Sequence, residues 1–186
     1  VSVPTQTQRE LLQNHREEFI QSNGILINVA KGIETTTGKC VHEIYNEVLG
    51  DCSDRYVALY GPSHAEEFGK NMPTALVSAS ANQFTAESVQ NIFMNDNVRV
   101  YTGNDVIGVE LGGALKNIIA LAIGMTVGLG YGDNARAALM TRGLAEITRL
   151  GVALGAEAYT FLGLTGVGDL IVTCTSQHSR NRRAGI

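Results

Sequence analysis

Short apolar segments alternate with amphipathic ones over the first half of the chain. The apolar segments predict strands, and the amphipathic segments between them repeat apolar residues at helical spacing. The predicted strands are VSV, ILINVA, YVALYG, TALVSAS and VRVYT, and the predicted helices are QRELLQNHREEFI, VHEIYNEVL and AESVQNIFM. Such alternation is typical of an α/β sheet with helices on its faces, and we expect the first strands to be parallel.

After Asp105 the pattern becomes helical. Two long helices are predicted over residues 105–124 and 134–154, joined by the turn-rich GLGYGDN, with Asp133 or Asn134 as the N-cap of the second. A glycine-punctuated segment, LGLTGVGDLIVTC, and a basic one, SQHSRNRRAG, follow. Helices therefore dominate the second half of the chain.

This change of pattern predicts a domain boundary near Asn104, with an α/β domain over residues 1–104 and a helical domain over residues 105–186. A length of 186 residues suffices for one ordinary domain or for two small ones that share an interface. Hydrophobic residues make up 44% of the chain and glycine occupies 21 positions, as in soluble, close-packed α/β proteins. The net charge of −4 argues against nucleic acid or an anionic membrane surface as the main partner.

The cysteines and the chain start bear on the compartment. Cys40, Cys52 and Cys174 are odd in number and lack metal-ligand spacing, which favours a reducing environment. The first residues do not resemble a signal peptide. Glycines, Lys116 and Asn117 interrupt the longest apolar run, which argues against a membrane span. We therefore predict a cytoplasmic protein.

Lys116 stands in an almost wholly apolar segment, ELGGALKNIIALAIG. In a helix its neighbours three and four positions away are small or aliphatic, so another backbone or a ligand can come close: Gly112, Gly113, Ile119 and Ala120. Partial desolvation would lower the pKa of this lysine towards the range that suits a general acid or base. A lysine whose stem covers the helix while its ammonium reaches water explains the same residues, and both interpretations stay open.

Two further segments follow predicted strands. Lys31 comes directly after ILINVA, and GPSHAEE begins where YVALYG ends, with a predicted helix starting at His64. In open parallel sheets, ligands lie beyond the carboxyl ends of the strands, and backbone N–H groups at a helix start bind oxygens. A solvated lysine and an ordinary capped helix are the alternatives.

Asp169 lies among apolar residues in GVGDLIVTC. If buried, it needs a cationic partner, for which Lys116 is a candidate, and Thr173 would share its helical face. The closing SRNRR offers Arg180 and Asn181, a guanidinium fork and an amide that suit a phosphate dianion, although short basic runs are usually solvated helix faces. The histidines show no spacing typical of a metal site or a catalytic triad.

Taken together, these segments resemble the NAD(P)-dependent glycerol-3-phosphate dehydrogenases, especially the bacterial form. The matching segments are NVAKGIE, GPSHAEE, YTGNDVIGVELGGALKNIIALAIGM, GLGYGDNARAALMTRGLAEITRLGVALGA and TFLGLTGVGDLIVTCTSQHSRNRR. The resemblance implies a partial Rossmann-type dinucleotide-binding domain over residues 1–104 and a partial helical substrate domain over residues 105–186. It implies reversible reduction of dihydroxyacetone phosphate to sn-glycerol 3-phosphate with NAD or NADP as cofactor, which feeds glycerophospholipid synthesis. The oligomeric state stays open, with a homodimer as one candidate.

The resemblance also implies roles for individual residues. Lys116 matches the family's catalytic lysine, which protonates the developing alkoxide and deprotonates the alcohol in reverse. Lys31 and Arg180 match residues that contact both substrate and cofactor, and Ala65 matches a cofactor contact. The other substrate-binding residues implied are Gly61, Ser63, Asn117, Asp169, Thr173, Ser179 and Asn181.

The chain departs from the family pattern in one respect. The family begins with a glycine-rich strand–turn–helix that holds the cofactor pyrophosphate, and we expect this segment and the C-terminal end of the helical domain to be missing here. The residues that distinguish NADH from NADPH would be missing with it. Two other functions stay open, a related dehydrogenase acting on a hydroxy acid or hydroxyacyl thioester and a non-catalytic helical association domain. The SRNRR cluster favours a compact phosphate.

Overall fold

The computed structural model describes residues 1–186 and contains one mixed sheet near the N-terminus. Its strands lie in the order β1-β2-β3-β4 and span Leu26–Asn28 (β1), Tyr56–Tyr60 (β2), Thr74–Ala79 (β3) and Val98–Gly103 (β4). The pairs β1–β2 and β3–β4 are parallel, whereas β2–β3 is antiparallel. The expected parallel pairing of the first strands is therefore confirmed for β1 and β2.

The helices around this sheet bury its two faces. They are α1 (Thr5–Asn14), α2 (Arg16–Ser22), α3 (Val41–Leu49), α4 (Ala65–Phe68) and α5 (Gln83–Phe93). All five residues of β2 are buried, and they alternate between two clusters. Tyr56 and Tyr60 pack with Leu12 of α1 and Ile44 of α3, whereas Leu59 faces Val89 of α5. A strand buried on both faces reads as a continuous apolar run, which explains YVALY.

Two predictions for the N-terminal segment are wrong. The predicted strand VSV lies beside β1, where Val1 N donates to Ile27 O, and Val29 N, just beyond β1, donates to Val1 O at 3.3 Å, but VSV forms no strand. Pro4 follows it, cannot donate to a ladder, and precedes the start of α1. The single predicted helix divides into α1 and α2 at His15, where φ is −117° and ψ is 23°, outside the helical region.

The second half of the chain is helical. Its elements are α6 (Val106–Gly128), α7 (Asp133–Ala153), a 3-10 helix (Ala158–Leu162), a π-helical turn (Leu164–Gly168), α8 (Asp169–Thr175) and α9 (Arg180–Gly185). The predicted side-chain cap of α7 is wrong: Gly132 is the N-cap, and Asp133 pairs instead with Arg136. Helix α6 is long and apolar enough to cross a membrane, but half of its most apolar window is buried inside the protein.

The helices of this half pack closely around α6. Helices α7, α8 and α9 all contact it, and a β-carbon at Gly124 would collide with the backbone of Arg182 in α9. Small residues on α6 therefore allow its neighbours to approach to backbone distance. Strand β4 ends at Gly103 and α6 begins at Val106; the domain boundary near Asn104 stays a prediction.

Candidate active site

One carboxylate joins two ammonium groups at the junction of the sheet and the helices. Lys116 Nζ donates to Asp169 Oδ1 at 2.5 Å, and Lys31 Nζ donates to Asp169 Oδ2 at 2.6 Å. Lys116 Nζ also donates to Thr173 Oγ1 at 2.7 Å. The predicted pairing of Asp169 with Lys116, and the placement of Thr173 beside them, are confirmed. Lys31 is a second partner that the sequence did not indicate.

Local structure explains how Asp169 reaches both lysines. Asp169 is 1% exposed and is the first residue of α8, directly after the π-helical turn. Thr173 Oγ1 donates to Asp169 O at 2.6 Å, which fixes the first turn of α8. Single π-turns inside helices are frequent at functional sites.

Lys31 lies three residues beyond the end of β1, on the predicted side of the sheet. Its Nζ also donates to Gly61 O at 2.9 Å, at the end of β2, and lies 5.7 Å from the ring centroid of Tyr60. The Lys31 side chain is 20% exposed, against 9% for Lys116. Of the two lysines, Lys31 is therefore the more exposed, and it lies at the edge of the sheet at which β1 and β2 end.

Glycines on α6 make the close approach possible. A β-carbon at Gly112 would lie 2.5 Å from Thr165 O, and one at Gly113 would lie 3.0 Å from Tyr60 Cδ2 and 3.3 Å from Lys31 Cδ. Real β-carbons do not tolerate the first contact. The small face predicted around Lys116 thus admits both a neighbouring backbone and the stem of Lys31.

The surroundings of Lys116 weaken its hold on a proton. Burial lowers the Lys116 pKa most, the charge of Lys31 lowers it further, and Asp169 partly opposes both, so that the pKa falls from 10.5 to about 8. Of the two interpretations of this lysine, the desolvated one is confirmed. An amine with this pKa can both donate and accept a proton near neutral pH.

The predicted residues at the end of β2 border the cluster. Gly61 has φ 156°, and a β-carbon there would lie 2.6 Å from Ala75 O on β3, so close strand packing requires this glycine. Ser63 Oγ donates to Gly61 O at 3.2 Å. The predicted helix begins at Ala65 rather than at His64, and it is only four residues long. The ring of His64 stands 6.2 Å from that of His178.

The remaining predicted residues lie at the rim or serve the local fold. Arg180 is exposed and forms no ion pair. The buried Ser179 accepts from Arg182 N at 3.2 Å and thereby caps α9. Asn117 is half-buried and donates to Ala114 O at 3.4 Å. The structure thus brings six predicted residues into one hydrogen-bonded cluster, namely Lys31, Gly61, Ser63, Lys116, Asp169 and Thr173. Neither Asn117 nor Ser179 joins it.

Sequence reasoning missed Glu110. It is 1% exposed and accepts from the backbone N of His42 at 3.2 Å, from His42 Nδ1 at 2.7 Å and from the Tyr56 hydroxyl. Burial opposes protonation of His42, but Glu110 outweighs it and raises the His42 pKa. Glu110 opens the same apolar segment that drew attention to Lys116, so the same signal could have identified it. It joins α6 to the start of α3.

The chain matches two models of one family. The model of the NAD-dependent glycerol-3-phosphate dehydrogenase N-terminus matches residues 1–86, and that of its C-terminus matches residues 105–186. A protein of Pelotomaculum thermopropionicum is 58% identical over 185 residues, which are 99% of this chain and 53% of that protein. One of Thermoanaerobacter sp. is 59% identical over 186 residues, which are 100% of this chain and 55% of that protein. Both are named glycerol-3-phosphate dehydrogenase (NAD(P)+).

Solved structures agree with these matches. The glycerol-3-phosphate dehydrogenase of Coxiella burnetii superposes with a TM-score of 0.91 at 39% identity, over 97% of this chain and 55% of that one. The yeast enzyme gives 0.81 at 27% identity, over 99% of this chain and 56% of that one. The chain spans about half the length of the curated relatives it matches. The expected Rossmann-type sheet followed by a helical domain is confirmed, and the chain belongs to the NAD-dependent glycerol-3-phosphate dehydrogenase family.

Proposed function

We propose that this protein reversibly reduces dihydroxyacetone phosphate to sn-glycerol 3-phosphate with NADH or NADPH, and so supplies glycerophospholipid synthesis. The observation that carries the proposal is the bridge from Asp169 to Lys31 and Lys116 at the open edge of the sheet. The names of its relatives support the same reaction. These names favour neither a dehydrogenase that acts on a hydroxy acid or a hydroxyacyl thioester nor a non-catalytic association domain.

Lys116 carries the proton transfer in this proposal. Reduction of a carbonyl adds a hydride to carbon and a proton to oxygen, and a bound nicotinamide cofactor supplies the hydride. Lys116 holds a proton at Nζ, donates it to the carbonyl oxygen as negative charge develops there, and takes it back in the reverse reaction. Asp169 and Thr173 accept from Nζ and fix its direction. The Lys116 side chain is only 9% exposed, so little water competes for the proton.

The rim residues fit a ligand that bears phosphate. Arg180 is an exposed guanidinium without an ion pair, and His64 Nε2 is buried without a hydrogen-bond partner directly before Ala65. We assign cofactor contacts to Lys31, Ala65 and Arg180, which would hold the cofactor at this edge. The proposed substrate contacts are Lys31, Gly61, Ser63, Lys116, Asn117, Asp169, Thr173, Ser179, Arg180 and Asn181.

The proposal extends to the compartment and the assembly. The three cysteines are buried and unpaired, which fits a reducing cytoplasm. Apolar residues at helical spacing are exposed along α6 and at its C-cap, namely Ile118, Leu121, Met125 and Leu129. A contiguous apolar face of this kind is compatible with a homodimer.

The reaction is tested by following oxidation of NADH and of NADPH in the full-length protein. We expect turnover with dihydroxyacetone phosphate and little with dihydroxyacetone or pyruvate, because only the first carries the phosphate that Arg180 would bind. Faster turnover of pyruvate than of dihydroxyacetone phosphate would refute the proposal in favour of a hydroxy-acid dehydrogenase.

The pH dependence should differ in sign between the two directions. Reduction needs the protonated amine, so its kcat/KM should stay level below the Lys116 pKa of about 8 and fall above it. Oxidation of glycerol 3-phosphate needs the neutral amine, so its kcat/KM should rise up to the same pH and then level off. Initial rates in both directions measure this, and parallel profiles would exclude Lys116 as the group that titrates.

Arg180 should matter for the phosphate group. Arg180→Ala deletes a charge-assisted contact of about 1.5–3 kcal/mol, so kcat/KM for dihydroxyacetone phosphate should fall by roughly ten- to a hundredfold. Arg180→Lys should recover only part of this loss, because an ammonium lacks the planar fork. Steady-state kinetics with dihydroxyacetone provide the control. An equal proportional loss of kcat/KM on both substrates would show that Arg180 does not bind the phosphate.

A further inference from the structure

The backbone directly before Lys31 is held from two sides. Ala30 N donates to Asn28 Oδ1 at 3.0 Å, and Asn28 Nδ2 donates back to Ala30 O at 3.1 Å. The buried Tyr60 also donates to Ala30 O. Gln8 of α1 donates to Asn28 Oδ1 at 3.0 Å and completes this first clamp. The end of β1 is therefore rigid up to the residue that precedes the lysine.

Helix α1 holds the backbone after Lys31 as well. Gln6 Nε2 donates to Ile33 O at 2.8 Å, and Gln6 Oε1 accepts from Thr35 N at 3.0 Å. Between them, Arg9 donates to both carboxylate oxygens of Glu34, at 2.8 Å from Nη2 and at 2.9 and 3.1 Å from Nε. Three consecutive residues of the loop are thus fastened to one helix.

Glu34 is the buried centre of this second clamp. It is 3% exposed, accepts from Thr37 Oγ1 at 2.5 Å, and its backbone N donates to Lys39 O at 2.9 Å. The hydrogen bonds from Arg9, and next that from Thr37, lower the Glu34 pKa to about 2. A buried, ionised carboxylate is costly unless it is fully paired, and this one is paired entirely within the loop and α1.

We propose that Glu34 and Arg9 are positioning residues for the active site: Arg9 of α1 binds Glu34 of the loop, and this pair fixes the loop that keeps Lys31 on Asp169 beside Lys116. Neither residue has a hydrogen bond to Lys31, Lys116 or Asp169, so both act through the backbone of the loop. The role of this arrangement in catalysis rests on the proposed function. The positioning of Lys31 by Arg9 and Glu34 does not depend on that function.

The arrangement has a measurable consequence at Lys116. The charged groups that face it are Lys31 and Asp169, and the Cys174 thiol beside it stays neutral because burial raises the Cys174 pKa to about 11. After burial, the charge of Lys31 is the next cause of the lowered Lys116 pKa. Freeing the loop lets Lys31 leave Asp169, so the Lys116 pKa rises towards its ordinary value.

The test compares Glu34→Gln with Glu47→Gln. Glu47 also accepts from Arg9, at 3.0 Å, but its side chain is 46% exposed and lies outside the loop, so it is a matched control. Acetylation of Lys116 by acetic anhydride is measured by mass spectrometry as a function of pH. The pH midpoint of the acetylation curve reports the Lys116 pKa. A change in how easily the reagent reaches Lys116 alters only the plateau of that curve. We expect a midpoint of about 8 in the wild type and in Glu47→Gln, and a higher one in Glu34→Gln.

A Lys31→Ala background separates positioning from a general structural role. Lys31→Ala should itself raise the midpoint, and adding Glu34→Gln should then change nothing, because the two act through one group. If Glu34→Gln does not fold, Gln6→Ala replaces it, since Gln6 is exposed and also fastens the loop. The proposal is overturned if the folded loop variant acetylates Lys116 with the same pH midpoint as the wild type. It is also overturned if the loop substitution shifts this midpoint as much in the Lys31→Ala background as in the wild-type background. Because labelling needs no turnover, failure of the dehydrogenase assay would leave this result standing.

Discussion

Replacing Lys116 by alanine should lower kcat by about a hundredfold or more, the usual contribution of a general acid or base. In the proposed reaction the amine is the proton donor, and Asp169 and Thr173, which bind it, cannot replace it because neither holds an ammonium proton. The fold should survive, since Asp169 keeps its bond to Lys31 at 2.6 Å. Initial rates with dihydroxyacetone phosphate, together with circular dichroism, measure both effects.

Lys70→Ala is the matched control for this change, because Lys70 is an exposed lysine outside the cluster. It should leave kcat unchanged. Small alkylamines added to Lys116→Ala should restore part of the rate, since they can occupy the vacated space and carry a proton. A kcat close to that of the wild type in Lys116→Ala would remove this residue from the mechanism.

Asp169→Ala should cause the largest loss of stability in the site. It leaves two ammonium groups close together without their shared counter-ion, and breaking a buried pair costs about 3–5 kcal/mol. We expect the lower end of that range, about 3 kcal/mol, because the Lys31 side chain is 20% exposed and can turn to water. Urea unfolding at neutral pH measures the change as a shift in midpoint.

The sign of the pH dependence checks the cause. Without Asp169 the charged form of Lys116 is disfavoured further in the folded state, so its folded pKa falls further below that of the unfolded chain. The unfolded chain then binds more protons over this range, and the variant regains stability as the pH rises towards 10.5, the ordinary lysine value. Asp96→Ala, at an exposed aspartate without an ion pair, should show neither effect. A loss that does not depend on pH would point to packing rather than charge.

Much of the site was predictable because charged residues in apolar segments stand out. The apolar neighbours of Asp169 indicate a buried carboxylate that needs a cation, for which Lys116 is a candidate, and the end of a parallel strand places Lys31 at the correct sheet edge. The bond from Lys31 to Asp169 could not be foreseen, since it depends on how α8 packs against the end of β1. Glu110 carried the same signal and was overlooked.

The fold was less predictable where several local conformations compete. The antiparallel pairing of β3 with β2 depends on the connection between them, and short strands carry little information about register. The break at His15 lies within a segment whose apolar spacing continues across it, so periodicity alone does not reveal it. Asp133 is an ordinary N-cap residue, but the chain adopts an extended conformation one residue earlier, at Gly132.

The shared carboxylate also links proton chemistry to the completion of folding. Lys31 and Asp169 are 138 positions apart in the chain, and Lys116 and Asp169 are 53 apart. Contacts of such long range form only after the chain entropy of the intervening loops has been overcome, which places them late in assembly. A partly folded chain therefore carries ordinary, protonated lysines. The weakly held proton at Lys116 exists only once the N-terminal sheet and the C-terminal helices have met.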